Sequence, residues 1–505
     1  MKQLIYGGRV LTAGRPDGAH ADLLIEGDTI AAVLPPGEGA AIDARRIDAT
    51  NRLLIPGLVN AHTHATVALG KGLSDRWSLE LLLNAYPWTT GGRTTETKYL
   101  SARIGALEML RKGCTACYDL VAEIPAPSIE GVAAVAQAYA DVGMRAVIAP
   151  MMADTTFYRA IPGLIDAMPP GLREQAMALK AASSDASLAA CRTLIETWPF
   201  APDQLRPALG PTIPHHCSDA FLVGCRDLAA AHGLGMQMHV AESKVQALTG
   251  PRKYGTTLVS HLHALGLLGP AFTAAHAVWI DDDDVGRLAD AGACVAHNPG
   301  SNMRLGSGLA VARKMLDRGV TLAIGTDGCL SSDNQNMFEA MRAAALVSRV
   351  QGPDPVQWLS AAEAFAAATT GGARALGMEK SIGQLAPGFK ADVVFLDLAG
   401  INYIPLNEPL FHVVFVEDGT GIDRVMVGGR VLVERGAVLG VDMHKLAAEA
   451  SDAVARLAQT NAAAKELVEQ FAPVVLDYCV GLAREPYHVQ RWCCHDEGDE
   501  APPSR

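Results

Sequence analysis

Short apolar stretches alternate with longer segments of helical periodicity through the middle of the chain. This alternation is typical of βα units, in which each strand of a parallel sheet is followed by a helix. Eight such units over roughly 250–320 residues match a TIM barrel. The strands that the pattern predicts are residues 59–64, 115–120, 145–150, 206–211, 235–239, 272–276, 293–297 and 322–327.

Both ends of the chain show a different pattern, with short strands separated by glycine turns. Alternating apolar positions surround Gly7-Gly8 near the start, and a hairpin signal surrounds Gly428-Gly429 near the other end. Because a small isolated sheet is marginal in water, we expect the two ends to pair into one small β-sandwich domain. The fold class is therefore α/β, with a (β/α)8 barrel over 58–379, a β domain built from 1–57 and 380–440, and a C-terminal helical extension and tail over 441–505. The helical pattern of the extension covers 443–471.

Composition and charge exclude several classes of function. Of 505 residues, 49% are hydrophobic and 19% are charged, and the formal net charge is −12, which disfavours binding to nucleic acid or to an anionic membrane. Residues 256–280 lack formal charge, but three histidines and a proline favour a buried segment over a membrane span. No targeting sequence is recognised, and the ten cysteines lack a small-domain disulfide framework, so we expect reduced thiols in the cytoplasm.

Ionisable residues lie at the ends of five of the eight predicted strands, where TIM barrels carry their catalytic groups. His62 and His64 are two positions apart, so their side chains point to one face of the first strand. A lone His-x-His pair would be a weak signal, but four further residues end later strands. These are His239, His276, His297 and Asp327.

Imidazoles and one carboxylate are the ligands that Zn²⁺ takes, or Fe²⁺ as an alternative. Such a metal lowers the pKa of bound water to about 7, which supplies hydroxide at neutral pH. Glu242 follows His239 by three residues and is expected just above the strand end, facing the metal. A carboxyl group there can protonate a substrate atom while hydroxide attacks.

At these residues the chain resembles the amidohydrolase superfamily, within it the cytosine and guanine deaminases and the triazine aminohydrolases and chlorohydrolases. The resemblance extends from about Leu4 to Val438. The motifs that carry it are Pro56-Gly57-Leu58-Val59-Asn60-Ala61-His62-Thr63-His64, His239-Val240-Ala241-Glu242-Ser243, His297-Asn298-Pro299-Gly300-Ser301-Asn302, Gly325-Thr326-Asp327-Gly328 and Gly383-Gln384-Leu385-Ala386-Pro387-Gly388.

The resemblance implies a role for each residue. Glu242 is expected to pass a proton to a ring nitrogen, and His276 to orient the hydroxide. Asp327 is expected to take the proton of the hydroxide and deliver it to the leaving amine. The implied metal ligands are His62, His64, His239 and Asp327.

The number of metals follows from the fourth strand. Binuclear relatives bridge two metals with a carboxylated lysine or a similar group at that strand, and residues 206–211 contain no lysine. We therefore expect one divalent metal. The substrate-binding segments depart from the relatives, so the candidate substrate contacts are taken from the loops that should rim the pocket, namely Trp88, His215, His216 and Asn302.

The sequence predicts a metal-dependent aminohydrolase that deaminates a purine, pterin, pyrimidine or triazine through a metal-bound hydroxide. A homodimer or homotetramer is expected by resemblance, with a small heterocycle as the only other partner. One alternative is a chlorohydrolase that releases chloride from a triazine-like ring. A cyclic amide hydrolase is disfavoured by the missing lysine and by Glu242, and a non-catalytic scaffold by the intact ligand set.

Overall fold

The computed structural model describes residues 2–123 and 126–493. Its strands form two antiparallel or mixed sheets from the chain ends and two parallel sheets from the central region. The strands are β1 (Lys2–Tyr6), β2 (Arg9–Thr12), β3 (Arg15–His20), β4 (Asp22–Glu26), β5 (Thr29–Leu34), β6 (Arg45–Asp48), β7 (Arg52–Pro56), β8 (Leu58–Thr63), β9 (Cys114–Val121), β10 (Arg145–Met152), β11 (Leu205–Pro207), β12 (Gly210–Pro211), β13 (Met236–Val240), β14 (Phe272–His276), β15 (Cys294–His297), β16 (Thr321–Ile324), β17 (Val393–Asp397), β18 (Ile422–Val427), β19 (Arg430–Glu434) and β20 (Ala437–Val438).

Helices separate the central strands and follow the last sheet. Many begin at a serine, threonine or aspartate whose side chain accepts a backbone N–H of the first turn, as at Ser128 and Ser218. The helices are α1 (Leu79–Thr90), α2 (Thr95–Arg111), α3 (Ile129–Val142), α4 (Phe157–Ala160), α5 (Leu164–Ala167), α6 (Pro170–Ala178), α7 (Ser184–Glu196), α8 (Asp219–His232), α9 (Lys244–Tyr254), α10 (Leu258–Ala264), α11 (Asp282–Asp290), α12 (Pro299–Arg304), α13 (Ala312–Asp317), α14 (Met337–Arg349), α15 (Ala361–Ala366), α16 (Gly372–Ala375), α17 (Pro409–Phe411), α18 (Met443–Thr460) and α19 (Ala462–Ala483).

The central strands form a closed parallel barrel. Strands β8 to β11 pair in chain order, and so do β13 to β16. A parallel bridge between Leu209 and Met236 joins the two halves on one side. On the other side the backbone N–H of Asp327 donates to the carbonyl of His62 at 2.9 Å, which closes β16 against β8. Every residue of β9 is buried, since its two faces fill the barrel and contact the helices. The prediction of a (β/α)8 barrel is confirmed.

The fourth barrel position differs from the prediction of one strand over 206–211. It consists of β11 and β12, which both pair with β10. Pro207 and Pro211 have no N–H to donate to a continuous ladder. Between these prolines, the N–H of Leu209 donates to the carbonyl of Gly235 at 3.1 Å, and Gly235 directly precedes β13.

Strands from both chain ends pair in one seven-stranded sheet, in the order β20-β19-β18-β17-β7-β2-β3. Val393 of β17 lies opposite Pro56 of β7 in antiparallel register. A second sheet, β5-β4-β1-β6, shares a buried apolar core with it that includes Ile5, Ile25 and Phe395. The two sheets form the small β domain beside the barrel. The domain limits at residues 57, 379 and 440 stay a prediction.

The C-terminal extension is longer than its sequence pattern indicated. The helical prediction ended at residue 471, but α19 continues to Ala483, and a break at Asn461 separates it from α18. The side chain of Asn461 donates to the carbonyls of Trp88 and Gly91, both at 2.9 Å, which ties the break to the end of α1. Apolar residues at helical spacing bury one face of α19 beyond residue 471, namely Val475, Cys479 and Leu482. The predicted tail beyond residue 493 lies outside the described residues.

Residues 256–280, the uncharged stretch, form α10 and β14 with a turn between them. None of the helices in the described ranges combines the length and apolar character needed to cross a membrane.

A buried ion pair joins the barrel to the β domain. Arg145 of β10 donates from Nε to Asp392 Oδ2 at 2.9 Å and from Nη2 to Oδ1 at 3.2 Å. The two side chains are only 6% and 3% exposed. Asp392 Oδ1 also accepts the backbone N–H of Gly428 at 2.7 Å, so the same carboxylate bonds a residue of the barrel and a residue of the β domain.

We expect Asp392→Ala to lower the free energy of unfolding by about 3–5 kcal/mol, because it leaves the guanidinium of Arg145 buried without its partner. Urea denaturation followed by circular dichroism measures the change. The control is Glu26→Ala, which removes the exposed Lys2–Glu26 pair and should cost about 0–1 kcal/mol. Equal effects of the two substitutions would show that the buried pair does not hold the domains together.

Candidate functional site

Four histidine and aspartate side chains meet at the C-terminal mouth of the barrel. His62 lies in β8 and His239 in β13, while His64 and Asp327 follow the ends of β8 and β16. Asp327 Oδ1 is 3.5 Å from His62 Nε2 and 3.3 Å from His64 Nε2. His64 Nε2 is 3.2 Å from His239 Nε2. The possible ligand atoms of His62, His64 and His239 lie within 4.8 Å of one another, as do those of His62, His276 and Asp327.

Hydrogen bonds to oxygen atoms determine which ring nitrogen of each histidine carries the proton. An amide or carbonyl oxygen can only accept, so the Nδ1 atom facing it must donate, and the lone pair of Nε2 then points into the site. The amide of Gln237 is itself oriented, since its Nε2 donates to the carbonyl of Ala61 at 2.9 Å. The three contacts are His62 Nδ1 with Gln237 Oε1 at 2.7 Å, His64 Nδ1 with the carbonyl of Leu120 at 2.8 Å, and His239 Nδ1 with the carbonyl of Thr212 at 2.8 Å.

This arrangement fits a bound cation. Burial lowers the pKa of His64 to about 4, although the charge of Asp327 opposes the shift, and burial also lowers the pKa of His239. The rings of His64 and His239 are therefore neutral, and buried His62 Nε2 has no hydrogen-bond partner among the described residues. Lone pairs that face one another and a carboxylate repel unless a positive charge lies between them. Nitrogens about 3.2 Å apart also suit two ligands of one ion with bonds of about 2.0–2.1 Å.

Strained backbone conformations occur at the strand ends that carry these groups. Ala241, His276 and Asp327 have positive φ angles of 48°, 69° and 63°. For residues with a side chain this conformation is costly and persists only where surrounding contacts hold it. Asp327 lies beyond the end of β16 at Ile324, so the prediction of a strand through residue 327 was wrong at that end. Its carboxylate is held by the Oγ of Ser301 at 2.6 Å.

Glu242 and His276 lie beside the ligand group. His276 Nε2 is 3.6 Å from Glu242 Oε2 and 4.0 Å from Asp327 Oδ2. His276 Nδ1 is 2.9 Å from Asn302 Oδ1 and donates to it, so its Nε2 is free to accept a proton or a hydrogen bond. Burial raises the pKa of Glu242 well above its usual value, and the charges of Asp327 and Glu80 raise it further. Burial therefore favours the protonated form of the Glu242 carboxyl.

A mainly apolar cavity opens onto this group of side chains. Its polar lining outside the site consists of Tyr86, Thr212 and Ser331, and none of the lining residues is a lysine or an arginine. The apolar walls come largely from α1 and from the loops around the strand ends. They are Val67, Leu79, Leu82, Leu83, Met151, Ile213, Leu305 and Leu330.

The four substrate contacts predicted from the sequence lie elsewhere, and none is among the residues that line this cavity. Trp88 packs against Trp77, with ring centroids 6.0 Å apart. His215 and His216 are buried behind Ile213 and pack against each other, with ring centroids 4.7 Å apart. Asn302 contacts His276 instead. The cavity lining therefore does not support a contact between these four residues and the substrate, and such a contact stays a prediction.

Sequence reasoning missed the cavity residues of α1. The signal was the helical spacing of Leu79, Leu82, Leu83 and Tyr86, which places them on one face. Trp88 was predicted as a substrate contact because it follows the loop after the first strand, but it lies on the other side of the same helix. Which face of α1 turns to the barrel depends on its packing against α19, which the sequence pattern alone does not determine.

Comparisons with known proteins agree with this geometry. The sequence model of the amidohydrolase family matches residues 53–432. A 5'-deoxyadenosine deaminase from Methanothermobacter thermautotrophicus is 35% identical over 456 residues, covering 90% of this chain and 97% of the relative. A 5-methylthioadenosine/S-adenosylhomocysteine deaminase from Pelotomaculum thermopropionicum is 34% identical, covering 90% of this chain and 98% of the relative.

Two solved structures resemble the whole fold. An adenosine deaminase from Xanthomonas campestris with bound zinc superimposes with a TM-score of 0.80 and 27% identity, covering 90% of this chain and 98% of the other. An atrazine chlorohydrolase from Arthrobacter aurescens TC1 in complex with zinc has a TM-score of 0.80 and 27% identity, covering 90% of this chain and 100% of the other. The ligand geometry described above therefore belongs to a fold that binds zinc in similar proteins.

We expect Gln237→Leu to weaken metal affinity by roughly 10–100-fold, because His62 Nδ1 loses the acceptor that orients the ring. The purified wild-type chain should hold one equivalent of divalent metal. Elemental analysis and competition with a chelator measure both quantities. The control is Gln3→Leu, which removes a buried glutamine of the β domain that donates to the carbonyl of Gly429. Two equivalents that are both needed for activity, or unchanged affinity in Gln237→Leu, would contradict this account of the site.

Proposed function

The chain belongs to the amidohydrolase family, and from that premise we propose that it removes the exocyclic amine of a neutral aminopurine, such as an adenosine modified at its 5' position and lacking phosphate. It is a metal-dependent hydrolase of carbon–nitrogen bonds in N-heterocycles, in line with relatives named deaminases of adenosine compounds. The observation that carries the finer proposal is the cavity lining. A buried phosphate needs a cationic partner, and no lysine or arginine lines the cavity.

We propose that His62, His64, His239 and Asp327 hold a single Zn²⁺, with Fe²⁺ as the alternative. When bound, the cation would lower the pKa of the water molecule that attacks the ring carbon. Support comes from the inward-facing lone pairs of the three histidines. Zinc in the two similar structures favours that ion.

Three side chains are proposed to move the protons. The Glu242 carboxyl donates its proton to the ring nitrogen next to the attacked carbon. His276 accepts a hydrogen bond from the attacking water at Nε2, because its Nδ1 donates to Asn302. Asp327 takes a proton from that water and passes it to the departing nitrogen. The carbon–oxygen bond forms, the exocyclic carbon–nitrogen bond breaks, and ammonia leaves with one proton of the water. The second proton of the water returns to Glu242 and restores its acid form.

We also propose that the protein acts in the cytoplasm as a homodimer or homotetramer. The cysteines of the described residues form no disulfide, which suits a reducing compartment. Exposed large apolar side chains occur on α14, on α17 and in the loops near them, where an oligomer contact would cover them. They are Leu346, Val350, Val356, Ile401, Ile404, Phe411 and Val416.

Metal-reconstituted protein is expected to release ammonia from 5'-deoxyadenosine and 5'-methylthioadenosine on the order of 100-fold faster, as kcat/KM, than from adenosine 5'-monophosphate. The reason is that the phosphate would be buried without a cation. A coupled ammonia assay measures the rates. A chlorotriazine assayed for chloride release tests the chlorohydrolase alternative. Equal turnover of the monophosphate, or chloride release exceeding ammonia release, would contradict the proposed substrate class.

Glu242→Gln should keep its metal and lose activity by about 10²–10⁴-fold, because the amide preserves size but has no acidic proton to donate. Steady-state kinetics on 5'-deoxyadenosine measure the loss. Metal content of the same preparation serves as the control, since Glu242 is not a proposed ligand. Activity close to wild type in a fully loaded variant would mean that the proton comes from another group.

A further inference from the structure

A buried carboxylate of helix α1 contacts the segment that carries the proposed proton donor. Glu80 lies in the first turn of α1 and is only 6% exposed. Its Oε1 accepts a hydrogen bond from the Oγ of Ser243 at 2.7 Å, and Ser243 is itself buried. Ser243 directly follows Glu242 in the chain. Breaking a buried hydrogen bond by removing one partner is costly, because it leaves the other polar group unsatisfied.

The same serine closes a small ring of contacts around Glu242. Ser243 Oγ accepts the backbone N–H of Gln246 at 3.2 Å and so caps the start of α9. The side-chain Oε1 of Gln246 in turn accepts the backbone N–H of Glu242 at 3.0 Å. Because the hydroxyl proton of Ser243 points to Glu80, its lone pair is directed at Gln246. Glu80 therefore fixes the rotamer on which the ring depends.

The backbone before Glu242 needs such support. Ala241 has a φ of 48°, a conformation that residues with a side chain rarely adopt. On its upstream side the carbonyls of Val240 and Ala241 accept the backbone N–H groups of Ala277 at 3.1 Å and of Trp279 at 2.9 Å. A strained residue relaxes when the contacts around it are removed. The position of the Glu242 side chain therefore depends on the contacts that follow it in the chain as well as on these two.

Helix α1 forms a wall of the substrate cavity as well as carrying Glu80. Leu79, Leu82 and Tyr86 of this helix line the cavity. The opposite side of α1 is held by the C-terminal helix, since Asn84 Nδ2 donates to the carbonyl of Val468 at 2.9 Å. The cavity wall and the proton donor are thus joined through one hydrogen bond, between Glu80 and Ser243.

We propose that Glu80 is a positioning residue for Glu242. It holds Ser243 in the rotamer that fixes residues 242–246, and so keeps the proton donor in place relative to the cavity wall. The effect on turnover rests on the proposed function, whereas the effect on backbone order does not.

The test combines hydrogen exchange with kinetics on three metal-loaded variants. In Glu80→Ala, amide exchange across residues 242–247 is expected to rise by about 10-fold or more, which reflects loss of a buried hydrogen bond. On 5'-deoxyadenosine, kcat should fall about 10-fold or more, while KM stays within about threefold and metal content is unchanged. Glu80→Gln should restore most of both quantities, because its amide oxygen still accepts from Ser243. Thr90→Ala, a similarly buried change on the same helix, removes a hydroxyl that donates to the carbonyl of Tyr86 and should leave exchange across 242–247 and kcat close to wild type.

Adding Glu80→Ala to Ser243→Ala should cost little more than Ser243→Ala alone, because the hydroxyl that bonds Glu80 is already gone. Wild-type exchange in Glu80→Ala would overturn the proposal, and so would equal acceleration in Thr90→Ala. If Glu80→Gln is as impaired as Glu80→Ala, an accepting oxygen is not what Glu80 supplies, and the proposal also fails. If exchange responds as expected but the wild-type protein deaminates no adenosine compound, the positioning role stands and the proposed substrate is wrong.

Discussion

The positions of three histidine protons govern the chemistry at the mouth of the barrel. Each Nδ1 atom donates to an oxygen that cannot donate back, which leaves the Nε2 lone pairs directed at one point. Two of those oxygens are backbone carbonyls. One belongs to Leu120 on barrel strand β9, and the other belongs to Thr212 just after β12. Barrel closure therefore sets ligand orientation as well as ligand distance. A change that shifts either segment would turn an imidazole without touching it.

The contacts that support the site extend outward from the four proposed metal ligands. Helix α1 supplies the apolar cavity wall, contacts the Glu242 segment through Glu80, and is held from behind by α19. The C-terminal extension is consequently part of what shapes the site, although none of its residues is a proposed ligand. The β domain contributes at the opposite side of the barrel, where Asp392 pairs with Arg145 of β10.

Much of this arrangement could be predicted from the sequence, because apolar periodicity reports which elements are buried. Strand β14 begins and ends where the pattern indicates. The pattern failed where prolines interrupt a predicted strand, as at Pro207 and Pro211 in the fourth strand. It also did not identify Tyr86 as a cavity residue, since the rotation of a helix about its axis depends on packing between distant segments. The groups that accept a hydrogen bond from the Nδ1 atoms of the histidines, such as Gln237 for His62, cannot be recognised from the sequence pattern.

Four side chains at the barrel mouth are proposed to hold a single catalytic metal. Anomalous diffraction from crystals of the zinc-loaded protein, collected on both sides of the zinc absorption edge, would locate every bound zinc ion. One strong peak is expected at about 2.0–2.2 Å from the Nε2 atoms of His62, His64 and His239 and from the carboxylate of Asp327. Two peaks at the barrel mouth, or a single peak bound away from these four residues, would contradict it.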